Sequence, residues 1–180
     1  MKRKIFISLN IPEKAKKRLV LATKKWESLP VKWTREANLH LTLEFLGFVE
    51  EGSLVDICEK VRKAAAKNAI FDIEFDQIEI FPSEEEPRGI VLIGQANEEL
   101  RNLVNDIEEK LGMATAPKKT FRPHVTLGRI RKHLWKELEE KPQISEKFSM
   151  HLEAEAVDIM ASNFGDGQNE YALIESCPLN

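Results

Sequence analysis

His40-Leu41-Thr42-Leu43 and His124-Val125-Thr126-Leu127 are one four-residue pattern written twice in the same chain. Each copy alternates polar and apolar residues, and the side chains of a strand point to opposite faces in turn. Leu41, Leu43, Val125 and Leu127 therefore line one face, which packs into a core, while the His and Thr residues share the other. With the two strands close together, two imidazoles and two hydroxyls converge on one small volume, a chemistry suited to an anion such as a phosphate.

The sequence around each copy also repeats. In the first half Lys4 to Leu9 reads as a strand, and a helix begins at Pro12, with Ala15, Leu19, Ala22 and Trp26 at helical spacing up to Ser28. Val31 to Thr34 is a short strand. The motif strand, Leu39 to Leu46, is expected to end at Gly47. Ser53 is placed to cap a helix whose buried stripe is Leu54, Ile57, Cys58, Val61 and Ala65. Phe71, Ile73 and Phe75 alternate, then the apolar phase slips to Ile78 and Ile80, which predicts a bulge near Asp76 and Gln77. Pro82 to Gly89 is a turn-rich connection to a strand at Ile90 to Gly94.

In the second half Asn97 caps and Gly112 ends a helix carrying Leu100, Leu103, Val104, Ile107 and Leu111. The motif strand His124 to Ile130 follows, then a short helix at Leu134 to Leu138 and a long strand from Phe148 whose phase shifts before Val157 and Ile159. A turn at Asn163 to Gln168 leads to a closing strand, Tyr171 to Ser176. Both halves thus read helix, motif strand, helix, long strand with a phase slip, turn, returning strand. The fold class expected is α+β: two pseudo-symmetric lobes, each an antiparallel sheet with helices, around a central cleft carrying the two His-x-Thr-x motifs. Residues 1–180 are read as a single bilobal domain with an internal duplication, one motif per half.

Composition narrows the function classes. The chain has 180 residues, 42% of them hydrophobic and 32% charged, and a formal net charge of −3. That charge argues against nonspecific coating of nucleic acid, which needs a broad basic surface, and leaves room for a local basic pocket. No apolar run reaches the roughly 18 residues of a membrane helix. Lys2-Arg3-Lys4 before Ile5 to Leu9 imitates a signal peptide, but Asn10, Pro12 and Glu13 break it, and the protein is read as cytoplasmic. Cys58 and Cys177 are the two cysteines, without Cys-x-x-Cys spacing, so a zinc site built on thiolates is not expected.

Of four histidines, His40 and His124 share the pattern; His133 and His151 fall at surface positions. Histidine has an unperturbed pKa of about 6.5, so one copy can be neutral while the other is protonated near neutral pH. Such a pair serves as general base and general acid, each role worth about 10²–10⁴ in rate. Thr42 and Thr126 follow about 6–7 Å along each strand, placed for nonbridging phosphate oxygens. A single His-x-Thr on an amphipathic strand is ordinarily structural; two copies in matching surroundings weigh toward function.

The stretches HLTLEFLG (His40 to Gly47) and RPHVTLGR (Arg122 to Arg129), with the opening Ile5-Phe6-Ile7-Ser8-Leu9-Asn10-Ile11-Pro12, resemble the 2H phosphoesterase superfamily. The resemblance is closest to the RNA 2′,3′-cyclic phosphodiesterases, also called 2′-5′ RNA ligases, and it runs along essentially the whole chain. It implies metal-independent hydrolysis of an RNA 2′,3′-cyclic phosphate end, or of a cyclic nucleotide, to a 2′-phosphate, with ligation as the reverse reaction. By position, the resemblance makes His40 the proton donor to the leaving 3′ oxygen and His124 the proton acceptor from water, with Thr42, Thr126 and Arg129 on the phosphate. The chain departs from the family at Ser8 and Gly128, where alanine is usual.

Further contacts to RNA are sought in Lys118 and Arg122, with Lys119 and Arg131, and in the aromatic residues Phe6, Trp33, Phe48 and Phe121. Solvation of the charges and packing of the rings are the ordinary readings. No cofactor, no metal and no membrane partner are expected, and the chain is read as a monomer. Three rivals stay open: an RNA-end-binding module without turnover, an interaction protein whose histidines are core residues, and a metallohydrolase with both histidines as ligands. The absence of a carboxylate within either motif counts against the last.

Overall fold

The structure, a computed structural model, describes residues 1–113, 121–165 and 168–180. Its elements in chain order are β1 (Lys2–Asn10), α1 (Glu13–Thr23), β2 (Val31–Trp33), β3 (His40–Glu50), α2 (Leu54–Ala66), β4 (Phe71–Pro82) and β5 (Pro87–Gly94). These are followed by α3 (Glu98–Leu111), β6 (His124–Ile130), α4 (Lys132–Lys136), β7 (Ser145–Ala154), β8 (Ala156–Gly165) and β9 (Gln168–Pro178). The strands pair antiparallel in the order β7-β4-β5-β6-β3-β1-β8-β9, with β2 added beside β6. This is an α+β architecture dominated by antiparallel sheet, as the sequence predicts.

Each motif strand pairs with the strand that precedes the helix before it. β1, α1 and β3 form one such unit; β5, α3 and β6 form the other. The two units meet at the middle of the sheet, where Leu41 of β3 stands opposite Val125 of β6. The strands of the two sequence halves are shared out across this seam. β4 and β5 of the first half lie on the β6 side, and β8 and β9 of the second half lie on the β3 side.

The apolar face of the sheet is buried, with Ile5, Ile7, Leu41, Val125 and Ile159 fully shielded. Helices α2 and α3 pack on each other, α2 against β8 and β9, α3 against β3 and β4. The stripe read from α3 (Leu100, Leu103, Val104, Ile107) is buried as expected. Asn97 accepts the Leu100 amide at 2.8 Å, and Gly112 closes the helix at φ 69°, a left-handed conformation that costs glycine little. No helix among the described residues is long and apolar enough to cross a membrane.

Four local expectations are revised. Ser53 makes no capping bond, because a 3₁₀ turn at Glu51–Ser53 already carries the chain into α2 in helical conformation. Gly47 does not end its strand: at φ 71° it sits at an irregularity in the β1–β3 register, and β3 runs on to Glu50. The two phase slips have different causes. In β4 the slip is a bulge between Phe75 and Gln77, as predicted, whereas after Phe148 the strand itself breaks at Glu155. There the chain leaves β7, which pairs with β4, and enters β8, which pairs with β1 and β9. The fourth is the connection read over Pro82 to Gly89, which is shorter than expected because β5 begins at Pro87.

Candidate active site

The pairing of Leu41 with Val125 places both residues on the core face and turns the flanking residues to the other. In an antiparallel seam centred there, His40 falls beside Thr126 and Thr42 beside His124. The four side chains open into one cleft of about 410 Å³, whose walls also include Arg129, Arg88, Phe45, Phe81, Phe121 and Tyr171.

His40 is held at both ring nitrogens. A carbonyl oxygen can only accept, so Nδ1–H donates to the Asn38 carbonyl at 2.7 Å, and Nε2 of the neutral ring accepts from the Thr42 hydroxyl at 2.7 Å. The turn bearing Asn38 is tied down in its turn, since Asn38 Nδ2 donates to the Asn169 carbonyl at 2.8 Å. The ring lies 4.9 Å from Phe6 and edge-on to Tyr171 at 5.4 Å. Burial pushes the His40 pKa below its ordinary value; the Asn38 bond opposes this, and the charges of Lys16 and Arg129 add to it.

His124 has a parallel but looser setting. Its Nδ1 approaches the carbonyl of the residue two before it, Arg122, at 3.5 Å, and its ring stacks on Phe81 at 4.9 Å with 17° between planes. Burial lowers its pKa too, again opposed by the backbone carbonyl. Each histidine thus has a phenylalanine companion at the same centroid distance and points Nδ1 back along its own chain.

The segment entering β6 is fixed to the end of β5. The Gly94 amide donates to the Pro123 carbonyl at 2.8 Å, and Arg122 Nε donates to the Gly94 carbonyl at 3.2 Å. A Cβ on Gly94 would stand 2.7 Å from the Glu74 carbonyl oxygen and 2.8 Å from Pro123 Cγ, so glycine is needed for this approach. On the other side of β6, the Thr34 hydroxyl donates to the Thr126 carbonyl at 3.0 Å and the Thr34 amide to the Leu127 carbonyl at 2.8 Å. Gly128 is explained by the same contact. Its absent Cβ leaves room for Val31 Cγ1, which would be 2.4 Å away, and for Trp33 Cε3 at 2.9 Å.

The structure therefore brings together His40, His124, Thr42, Thr126 and Arg129. Arg122 does not line the cleft; it anchors the approach to His124. Phe6 lines it but is only 3% exposed, its ring packed among His40, Phe45 and Tyr171. Lys118 and Lys119 lie outside the described residues. Among the described residues no group of three or more His, Cys, Asp or Glu side chains is placed to hold a metal ion. Tyr171, Phe45, Phe81 and Arg88 are cleft residues the sequence reading missed. Phe45 was hidden by parity, since it shares the odd positions of Leu41 and Leu43, and the other three lie far from either motif.

Residues 9–91 match the family model described as LigT like Phosphoesterase. A protein of Archaeoglobus fulgidus named RNA 2′,3′-cyclic phosphodiesterase is 31% identical over 132 residues, covering 72% of this chain and 73% of that one. The chain belongs to the LigT-like phosphoesterases. An Aquifex aeolicus protein of the same name is 30% identical over 113 residues, and there the match spans only 60% of the relative. Among solved structures, TT0787 of Thermus thermophilus superposes with a TM-score of 0.79 at 26% identity, over 98% of this chain and 97% of the other. E. coli LigT complexed with 3′-AMP shares the fold at a TM-score of 0.79 and 20% identity, over 99% and 98% of the two chains. In this chain the sheet carries the cleft at its centre, where the two motif strands meet.

Proposed function

We propose that this LigT-like chain hydrolyses RNA 2′,3′-cyclic phosphate ends, or cyclic nucleotides, to the 2′-phosphate by metal-independent general acid–base catalysis. We also propose that residues 1–180 act as one domain of two lobes, duplicated about the β3–β6 seam. The observation carrying the reading is the convergence of both His-x-Thr pairs and Arg129 on one cleft. The names of the relatives from Archaeoglobus fulgidus and Aquifex aeolicus agree with it.

In the proposed reaction the cyclic phosphate lies between the two imidazoles. His124 Nε2 takes a proton from water as its oxygen bonds to phosphorus. The bond from phosphorus to O3′ breaks, and O3′ receives the proton from His40 Nε2. The protein ends with His124 protonated and His40 neutral, and exchange with solvent restores the starting state. Attack and departure on opposite sides of phosphorus need the base and acid to face each other, which a seam with His on either strand supports. Thr42, Thr126 and Arg129 offset charge on the nonbridging oxygens. The short bond from His40 Nδ1–H to Asn38 favours a second proton on Nε2, as the donor role requires. With the 5′-hydroxyl of a second RNA in place of water, the same groups would carry out ligation. His124 takes the hydroxyl proton as O5′ bonds to phosphorus, the bond to O3′ breaks, and O3′ is protonated by His40, giving a 2′-5′ linkage and a free 3′-hydroxyl.

The test is turnover of a short RNA bearing a 2′,3′-cyclic phosphate in EDTA, with the 2′- and 3′-phosphate products resolved. Tight binding without turnover would replace this reading with that of an RNA-end-binding module.

A further inference from the structure

β3 carries two register irregularities against β1, and together they keep one face of the strand continuous. Ser8 is opposite Thr42, Phe6 opposite Phe45, and Lys4 opposite Phe48, so Leu43 and Leu46 are skipped in the sequence of partners. β1 itself pairs with β8 without interruption from Lys4 to Ser8, so Ser8, Phe6 and Lys4 share one face. The first irregularity moves Phe45 off the core face of Leu41 and Leu43 onto the side of His40 and Thr42, and the second, at Gly47, keeps Phe48 on that cleft side. His40, Thr42, Phe45 and Phe48 therefore form a single file leading out of the cleft. Phe45 is 57% and Phe48 68% exposed, an unusual outlay of aromatic surface on two neighbouring positions.

We propose that the RNA substrate extends along β3, its terminal base stacked on Phe45 and the preceding base on Phe48, so that the protein prefers oligonucleotide ends to cyclic mononucleotides. The inference rests on the cyclic phosphodiesterase reading and deepens it. The partners of the two rings, Phe6 and Lys4, are two residues apart, so the rings are spaced by about 6–7 Å along the strand and can each take one base. Stacking on aromatic side chains tolerates any base, which suits an enzyme that acts on ends rather than sequences. Lys4, opposite Phe48, adds positive charge beside the outer ring, and Arg129 adds it at the inner end of the file. Continuity with the catalytic face favours a nucleic acid over a second copy of the chain as the occupant.

The experiment compares kcat/KM for a trinucleotide ending in a 2′,3′-cyclic phosphate with that for a nucleoside 2′,3′-cyclic monophosphate. In Phe48→Ala the ratio of the two is expected to fall about tenfold through a raised KM for the trinucleotide, and in Phe48→Trp to be retained. A ratio unchanged in Phe48→Ala, with both substrates still turned over, overturns the inference and leaves the functional reading standing. The same unchanged ratio accompanied by loss of a dimer would assign the face to contact between copies. Absence of turnover on both substrates in the native chain would overturn the functional reading, and this inference with it.

Discussion

Leu41 faces Val125 across the seam between β3 and β6, and both are fully buried. This apolar pair holds the two halves of the site in register. A one-residue slip of either strand would turn its histidine and threonine into the core and its leucines into the cleft. The geometry of the proposed active site depends on core packing as directly as on the polar groups themselves.

Replacing Val125 with Ala is accordingly expected to cost both stability and rate. Loss of two buried methyl groups at the seam should destabilise the fold by about 1–3 kcal/mol. Chemical denaturation checks the first effect. A fall in kcat with little change in KM checks the second.

Replacing Gly128 with Ala tests the contact between β2 and β6. The added methyl cannot coexist with Val31 Cγ1 at 2.4 Å, so β2 must shift or Val31 must change rotamer. A loss of about 1–3 kcal/mol is expected. The double variant G128A/V31A should recover part of it, and absence of recovery would refute the explanation of this glycine.

Burial lowers the pKa of both histidines, which sets the direction of the pH dependence. In the proposed mechanism the reactive state has one ring protonated and one neutral, and its population peaks between the two values. Both lie below about 6.5, so the maximum of kcat/KM is expected below that pH, with a decline toward alkaline conditions. Linkage to stability runs the opposite way. The unfolded chain binds these protons near pH 6.5 and the folded one only at lower pH, so their contribution to stability is complete above about 6.5 and is lost as pH falls through the folded values.

Phe81→Ala removes the ring stacked on His124 and opens that imidazole to water. Its pKa should return toward the ordinary value, moving one limb of the pH–rate profile upward. An unchanged profile would show that Phe81 does not supply the burial.

Much of this was legible in the sequence because it is local. Alternation around His40 and His124 gave the strands and the faces, Asn97 and Gly112 marked both ends of α3, and the apolar slip after Phe75 marked the bulge. What escaped depends on pairing. The break at Glu155 looks like another slip until β7 and β8 are seen to pair with different neighbours. Phe45 shows the same limit, since alternation assigns it to the core and only its register with Phe6 places it in the cleft. Tyr171 reaches His40 from the far end of the chain, a contact no spacing signals.

The most direct test of the two-histidine mechanism is turnover of an RNA with a 2′,3′-cyclic phosphate end in EDTA by the native chain, His40→Ala and His124→Ala. The native chain is predicted to give the 2′-phosphate, and each variant to lose about 10²–10⁴ in kcat while retaining its fold. Full activity in either variant, or native turnover that appears only on adding a divalent metal, would contradict it.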